Sequence, residues 1–547
     1  MNKKVFLLTP VLMANVAMAQ HRYNIVYIMT DDHTAQMMSC YDNRFVETPN
    51  LDRVAADGVR FVNSYVTNSL SGPSRACMLT GKHSHKNGFT NNEHGIFDGS
   101  QQTMPKLMQK AGYQTAIIGK WHLVSTPTGF DYFNILPAQG DYYNPNFINM
   151  DGSTTREKGY VTNIITDKAI DWMEHKRDKS KPFILFIHHK ACHRDWLPEL
   201  KYIHEYEDKT FAIPSTFNDD YQGRPAAAAQ EMEIGNNDHM DIVYDNKMYY
   251  PGANTRLTDT YLSMIGRLNS KDRAEYDYFY DSLATDFNNR HLTGKALAEF
   301  KYQRYMRDYA KVLKTLDDNV GRTLDYLKKA GLSDSTLVVY TSDQGFYMGE
   351  HGWFDKRFMY EESLRTPLII SYPGHTKPGS VCTRLVQNID YAPTFLDLAG
   401  VTKPKDMPGR SLVPVLDNGD NQKNWRKSIY YHYYDYPTYH MVRKHDGVRT
   451  DRYKLIHFYG KGGLDAVPEN KYQGIPGTRE YGTMKALESI GYFEPKDSTV
   501  NYCELYDLEA DPHEVNNIYG KPGTEKITKQ LQRELDKYRK SLAVDEY

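Results

Sequence analysis

Three short apolar runs, far apart in the chain, each stop at a cluster of polar residues. Asn24-Ile25-Val26-Tyr27-Ile28-Met29-Thr30 runs into Asp31-Asp32, and Phe183-Ile184-Leu185-Phe186-Ile187 into His188-His189. The third, Thr336-Leu337-Val338-Val339-Tyr340-Thr341, leads to Asp343-Gln344-Gly345. Unbroken apolar runs rich in β-branched and aromatic residues suit strands buried on both faces, as in a parallel sheet covered by helices on each side. In such sheets ligands gather beyond the carboxyl ends of the strands, where all three polar clusters sit. The expected fold class is therefore α/β, a doubly wound sheet with its functional residues at one end.

Tyr309, Val312, Leu313, Leu316, Val320, Leu324 and Leu327 recur at helical spacing and predict a long helix over Leu297–Ala330, closed by Gly331. The stretch from 202 to 289 is polar, rich in Tyr, Asp and Asn and weakly periodic. It reads as an insertion of loops and short helices near the pocket mouth. Loop chemistry at Val401-Thr402-Lys403-Pro404-Lys405 marks a boundary. Beyond it come β-like runs at Ser428–Tyr434, Val448–Arg449 and Lys454–Tyr459, then a helix over Glu525–Leu542. A chain of 547 residues can hold two domains, here 20–403 and 404–547.

Residues 1–19 read as an export signal. Lys3 and Lys4 are followed by the apolar stretch Val5 to Val16 and the small-residue site Ala17-Met18-Ala19. The segment is shorter than a membrane span, and no cysteine follows it for a lipid anchor. The mature protein is expected in a bacterial periplasm. A net charge of −2 shows no basic surplus for a nucleic-acid partner, so an anionic substrate must be drawn in by a local basic pocket. Cys40, Cys77, Cys192, Cys382 and Cys503 form an odd set without CxxC spacing, which supports neither a zinc site nor a particular disulfide.

Ser71-Gly72-Pro73-Ser74-Arg75, continued by Ala76-Cys77-Met78-Leu79-Thr80-Gly81-Lys82, resembles the signature of type I sulfatases, which have an alkaline-phosphatase-like core and a smaller C-terminal domain of antiparallel sheet plus helix. In that family the first residue of Cys/Ser-x-Pro-x-Arg is oxidised to formylglycine (3-oxoalanine). The resemblance implies this modification at Ser71, made by a maturase that accepts serine. The chemistry explains the need. A hydrated aldehyde offers one hydroxyl to attack sulfur while the alcohol leaves. The second hydroxyl, once deprotonated, expels sulfate by carbon–oxygen cleavage and restores the aldehyde. Pro73 and the apolar run after it suggest a turn into a helix, whose N-terminus favours an anion.

Three carboxylates, Asp31, Asp32 and Asp343, with the Gln344 amide make a hard oxygen set suited to Ca²⁺ or Mg²⁺ rather than zinc. The resemblance implies one calcium ion there, with the modified Ser71 also a ligand; the family often carries Asn or His where Gln344 stands. Ile118-Gly119-Lys120-Trp121-His122 resembles the family's Gly-Lys-Trp-His block, in which the lysine contacts sulfate and the histidine the formylglycine. Lys190-Ala191-Cys192-His193 and Gly349-Glu350-His351-Gly352 with Lys356 resemble the segments that supply a second histidine and a second lysine. By resemblance Arg75 holds the hydrated aldehyde, His122 deprotonates its second hydroxyl, and His193 and Lys356 serve the leaving alcohol. His351 reads as a loop brace, and His188 and His189 as supporting or packing residues.

Gly129-Phe130-Asp131-Tyr132 through Ile135-Leu136-Pro137, then Gly140-Asp141-Tyr142-Tyr143-Asn144-Pro145, resembles the branch containing bacterial N-acetylglucosamine-6-sulfatases of glycosaminoglycan and mucin breakdown, as does Tyr430 to Arg449 with His440 and His445. A sulfated glycan is then the expected substrate, with Arg357 and His445 contacting sugar hydroxyls. Alternatives are another carbohydrate sulfate position, a phosphatase or phosphonate hydrolase of the same fold, and a sugar-binding protein with a dead site. The oxygen-only ligand set and the Lys120, His122 and Lys356 group favour sulfate; an intact set of nucleophile, ligands and cations argues against a dead site.

Overall fold

The computed structural model describes residues 22–92, 95–436, 438–460 and 499–547; the export segment 1–19 lies outside them. A ten-stranded sheet runs in the spatial order Ser380–Cys382, Val59–Phe61, Leu368–Ser371, Thr336–Ser342, Asn24–Thr30, Phe183–His188, Gln114–Lys120, Tyr132–Leu136, Asn146–Ile148, Thr154–Arg156. The three runs expected as strands are neighbours at its centre and are parallel. Met29 pairs with His188 on one side and Thr341 on the other, so Asp31, His189 and Asp343 emerge at the same end.

Alternate residues of these strands enter two different cores, the mark of a sheet covered on both faces. Val26, Ile28, Leu185, Ile187, Val338 and Tyr340 pack with Val312, Leu316 and Val320 of the helix Gly294–Lys329. Ile25, Tyr27, Ile184, Phe186, Leu337 and Val339 pack with Ala76 and Leu79 of the helix Ser71–Thr80 and with Phe395 and Leu396. The sheet is parallel through its middle, and Ser380–Cys382 also runs parallel to Val59–Phe61 at one edge. Leu368–Ser371 runs antiparallel to Thr336–Ser342, and Asn146–Ile148 and Thr154–Arg156 close the far side as an antiparallel pair.

The long helix begins three residues earlier than predicted, at Gly294. The 202–289 stretch differs more. It contains a helix of 21 residues, Ser270–Arg290, whose N-cap Asn269 accepts from the Lys271 and Asp272 amides. Its buried stripe, Tyr276, Phe279, Tyr280 and Ala284 with Leu283 and Phe287 partly buried, has helical spacing but is largely aromatic and set among charged residues.

The C-terminal part is a four-stranded antiparallel sheet in chain order: Ser428–Tyr433, His445–Thr450, Tyr453–Gly460 and Val500–Asp507, the last not anticipated. One face carries Tyr430, Val448, Leu455 and Leu505 against Leu531 and Leu535 of the helix Glu525–Leu542. The other carries Tyr431, Tyr433, Ile456, Phe458 and Tyr506 against Trp353, Phe358 and Tyr360. That second face braces the segment bearing Lys356. The five cysteines are free thiols. Among the described residues, no helix is long and apolar enough to cross a membrane.

Candidate active site

Strand ends and one helix start converge. Ser71 is the first residue of the helix Ser71–Thr80, is 1% exposed, and its Oγ donates to Asp31 Oδ1 at 2.9 Å. Asp31 follows its strand directly; its amide donates to the Ala191 carbonyl and its carbonyl accepts from the Cys192 amide, tying the first strand end to the segment bearing His193. Asp32 has a left-handed backbone (φ 58°), which turns its side chain back into the site, and its amide donates to Asp343 Oδ1 at 3.2 Å. Gln344 Nε2 donates to Asp32 Oδ1 and lies 3.5 Å from Ser71 Oγ.

Three cations meet these carboxylates. Arg75 donates through Nε and Nη2 to Asp343 Oδ2 at 3.1 and 2.9 Å, Lys120 Nζ donates to Asp31 Oδ2, and Lys356 Nζ donates to Asp32 at 2.6 and 2.8 Å. Three carboxylates against three cations leave this set neutral. Gln344 Oε1 is nevertheless buried with no partner, an oxygen donor without a positive charge to face. Burial first, then the Asp343 and Asp355 charges, push the Asp32 carboxyl up to about 6 despite Lys356. Asp31, Asp32, Asp343 and the Gln344 oxygen thus fit a hard divalent cation. His193 Nε2 approaches the same place, 3.8 Å from Asp32 Oδ2.

Both histidines are held neutral. Burial first, then the Lys120 ammonium, keep His122 well below its ordinary value, and His193 likewise with Lys356 and Lys190 adding to the effect. His193 Nδ1 donates to the Arg194 carbonyl at 2.6 Å, which leaves its Nε2 bare. His188 accepts no role at the surface: it is buried with Nδ1 3.1 Å from the Lys120 carbonyl, and His189 is buried beside it. His351 braces its loop through Nδ1 on Asp219 at 2.7 Å.

The two expected sugar contacts part company. Arg357, with φ 93°, is bound to Asp355 Oδ1 at 2.9 Å and to Tyr433 OH at 3.1 Å, one residue from Lys356. His445 is fully buried, with Nδ1 on the Arg443 carbonyl at 2.7 Å and Nε2 accepting from the Met359 amide at 3.1 Å. Its ring stacks with Tyr431 and Tyr433, so it is a core residue and not a sugar contact. The histidine that does face this region is His440, 3.4 Å from Asp355 Oδ2. Asp355 and Gln139, which bonds to both Lys120 and His122, carry no motif that would single them out, whereas His440 lies in the stretch Tyr430 to Arg449 noted above.

Known proteins match this arrangement over nearly its whole length. A family model described as Sulfatase matches residues 23–401, and one described as N-sulphoglucosamine sulphohydrolase, C-terminal, matches 349–466 and 487–541. The chain is 47% identical over 524 residues to an N-acetylglucosamine-6-O-sulfatase of Bacteroides thetaiotaomicron, covering 95% of this chain and 86% of that protein. It is 26% identical to the human N-acetylglucosamine-6-sulfatase, over 92% of this chain and 82% of that one. A solved structure in complex with its substrate, D-glucosamine-2-N,6-O-disulfate, is similar at a TM-score of 0.85 and 46% identity, covering 96% of this chain and 99% of that one.

Proposed function

The chain belongs to the sulfatase family and is a sulfuric ester hydrolase, and from that premise we propose that it removes the 6-O-sulfate of N-acetylglucosamine in glycosaminoglycan- or mucin-type glycans. The observation that carries the substrate is the near full-length similarity to an enzyme of that name. A group of Asp355, Arg357 and His440 beside Lys356 supports it, since it offers a carboxylate, a guanidinium and an imidazole where a sugar's hydroxyls would follow its sulfate.

We further assign Ser71 as the residue oxidised to formylglycine by a serine-accepting maturase. Its place at a helix start, on Asp31, is where a nucleophile would gain from both the dipole and the cations. Asp31, Asp32, Asp343, Gln344 and the modified Ser71 would hold one calcium ion, which when bound polarises the sulfate and stabilises negative charge on the attacking oxygen. Arg75 and Lys120 neutralise charge around Asp31 and residue 71. His122, neutral in the resting site, accepts the proton that residue 71 gives up. Lys356 carries a donatable proton for the leaving oxygen, and His193 gains one once the sulfate's charge offsets the surrounding ammoniums. A catalytic unit over 20–403, a C-terminal unit over 404–547 and export to the periplasm complete the proposal.

A panel of sulfated monosaccharides tests the substrate. N-acetylglucosamine-6-sulfate should be cleaved in preference to galactose, galactosamine and glucosamine esters at other positions. Preference for a galactose ester or an N-sulfate contradicts the assignment and leaves the family membership standing.

A further inference from the structure

The stretch from 202 to 289 sets one of its turns against the segment that bears His193. In this turn Asp241 Oδ1 accepts from the Val243 and Tyr244 amides at 2.9 and 2.8 Å, and the Asp241 amide donates to Asp245 Oδ2 at 2.7 Å. Lys247 Nζ donates to the Asp195 carbonyl at 2.8 Å and to the Asp245 carbonyl at 3.1 Å, tying the two segments together. Asp245, fully buried, then accepts from Nε and Nη2 of Arg194 at 2.7 Å each. This two-point pairing fixes the plane of the guanidinium, whose central carbon lies 5.6 and 5.1 Å from the ring centres of Tyr244 and Phe354. Nη1 makes no hydrogen bond to the described residues, and the Arg194 side chain keeps 17% of its surface exposed. A built scaffold thus presents one charged donor edge to solvent.

The neighbours show which space that edge borders. The Phe354 ring under Arg194 also meets the edge of the His440 ring, 5.4 Å away at 90°. Phe354 leads into Asp355, which faces His440 at 3.4 Å and holds Arg357 at 2.9 Å. Burial first, then the Arg357 and Arg194 charges, hold His440 below its ordinary value despite Asp355, so both guanidiniums act on the same ring. Arg194 therefore flanks the Asp355, Arg357 and His440 group and adjoins His193 in the chain. Its chemistry complements that group. An ionised carboxylate accepts from sugar hydroxyls, whereas a guanidinium only donates. On N-acetylglucosamine-6-sulfate the hydroxyls can donate or accept, and apart from the sulfate the strong acceptor is the carbonyl oxygen of the 2-acetamido group.

We propose that Arg194 is a substrate-binding residue that determines specificity: pinned by Asp245 through Nε and Nη2, it offers Nη1 to the acetamido carbonyl of the sugar. It thereby selects a 2-acetamido sugar over one with a hydroxyl at carbon 2, whose oxygen stands closer to the ring and out of reach of a donor held in place. The proposal rests on the reading of the substrate as 6-sulfated N-acetylglucosamine. It gives the 202–289 stretch a task, which is to hold a recognition residue rigid at the pocket mouth.

The test compares three sulfate esters: N-acetylglucosamine-6-sulfate, glucose-6-sulfate and a small aryl sulfate. Arg194→Lys keeps a charge opposite Asp245 and removes the fork. Arg194→Met combined with Asp245→Asn removes the donor without leaving a buried charge unpaired. On N-acetylglucosamine-6-sulfate both should lower kcat/KM about tenfold to a hundredfold, the scale of a lost hydrogen bond to a charged group. On the glucose ester and the aryl sulfate both should change it less than about threefold, so the wild-type preference for the acetamido sugar collapses. Loss on all three esters would place Arg194 at the sulfate or in the framework and overturn the proposal. Loss on both sugars but not the aryl sulfate would make it a hydroxyl contact and overturn it too, as would unchanged kcat/KM on the acetamido sugar. If the wild-type enzyme prefers a galactose ester, the substrate reading has failed first and takes this proposal with it, which is seen before any variant is made.

Discussion

Around Asp308, on the helix Gly294–Lys329, one buried carboxylate is met by Arg304, Lys247 and Lys311 at 2.7, 3.2 and 3.5 Å. Around Asp32, the carboxylate is met by Lys356 at 2.6 Å, but Asp343 and Asp355 also face it. The residue types are the same and the balance is opposite. The cations around Asp308 overcome the cost of burial and hold its carboxyl well below the ordinary range. The carboxylates around Asp32 let burial win and push it up to about 6. The cluster around Asp308 keeps its carboxylate ionised as the chain folds; the one around Asp32 is neutral in sum, yet leaves Asp32 raised and the Gln344 oxygen without a partner. A buried oxygen set that its own residues do not hold ionised and bonded is where a cation would bind.

The contrast can be broken most severely at Asp343. Asp343→Ala removes a proposed ligand and the partner of Arg75, and should lower kcat/KM on the order of a thousandfold or more without rescue by calcium. Thermal stability should fall less than for Asp308→Asn, because Arg75 keeps Asp31 at 3.5 Å and one of the carboxylates crowding Asp32 has gone. Asp308→Asn should do the reverse. Removing the carboxylate that faces Lys247, and leaving Arg304 and Lys311 with Glu207 alone, should cost about 3–5 kcal/mol in denaturant unfolding, with kcat of the folded fraction unchanged. If Asp343→Ala unfolds the protein while Asp308→Asn abolishes turnover, the two networks have been read the wrong way round.

Calcium gives a smaller, sharper comparison. At a hundredfold excess over Kd it should stabilise the protein by about 2.7 kcal/mol, Asp32→Asn should lose that gain, and Asp308→Asn should keep it. The effect should also depend on pH. Asp32, with its folded value raised to about 6, adds stability to the metal-free protein that is fully present below its unfolded value and is lost as pH rises through about 6. Calcium displaces that proton, so its stabilisation should grow between about pH 4 and 6. Asp308, lowered in the folded state, contributes above its unfolded value and loses its contribution only as pH falls below the ordinary carboxylate range. Calcium stabilisation that is flat over that interval would remove Asp32 from the ligand set.

What the sequence made legible follows the same division. Strand ends announce themselves, because an unbroken apolar run stops where the polar work begins; Asp31, Asp32 and Asp343 all emerge at one end of the sheet. Contiguous motifs likewise brought Ser71, Arg75, Lys120, His122, His193 and Lys356 into one cluster. Residues delivered by single turns are harder to read: Asp355 is unmarked, and His440 is marked only as part of Tyr430 to Arg449, without a role. Both owe their placement to left-handed backbone (φ 75° and 68°) that no periodicity encodes. His440 and His445 lie five residues apart, yet strand pairing carries only His445 into the aromatic core, opposite Tyr433 and Phe458. The helix Ser270–Arg290 is hard to read because its core-facing stripe, Tyr276, Phe279, Tyr280, Leu283, Ala284 and Phe287, is mostly aromatic and interleaved with charged residues, which blurs the period.

The account depends above all on the chemistry at residue 71. In protein purified from its native host, the tryptic peptide spanning residues 61–75 contains Ser71, and its fragment ions give the mass at that position. Oxidation of the hydroxyl carbon to an aldehyde removes two hydrogens, so fully active protein should show residue 71 about 2 Da lighter than serine. An unmodified Ser71 in fully active protein would contradict the account.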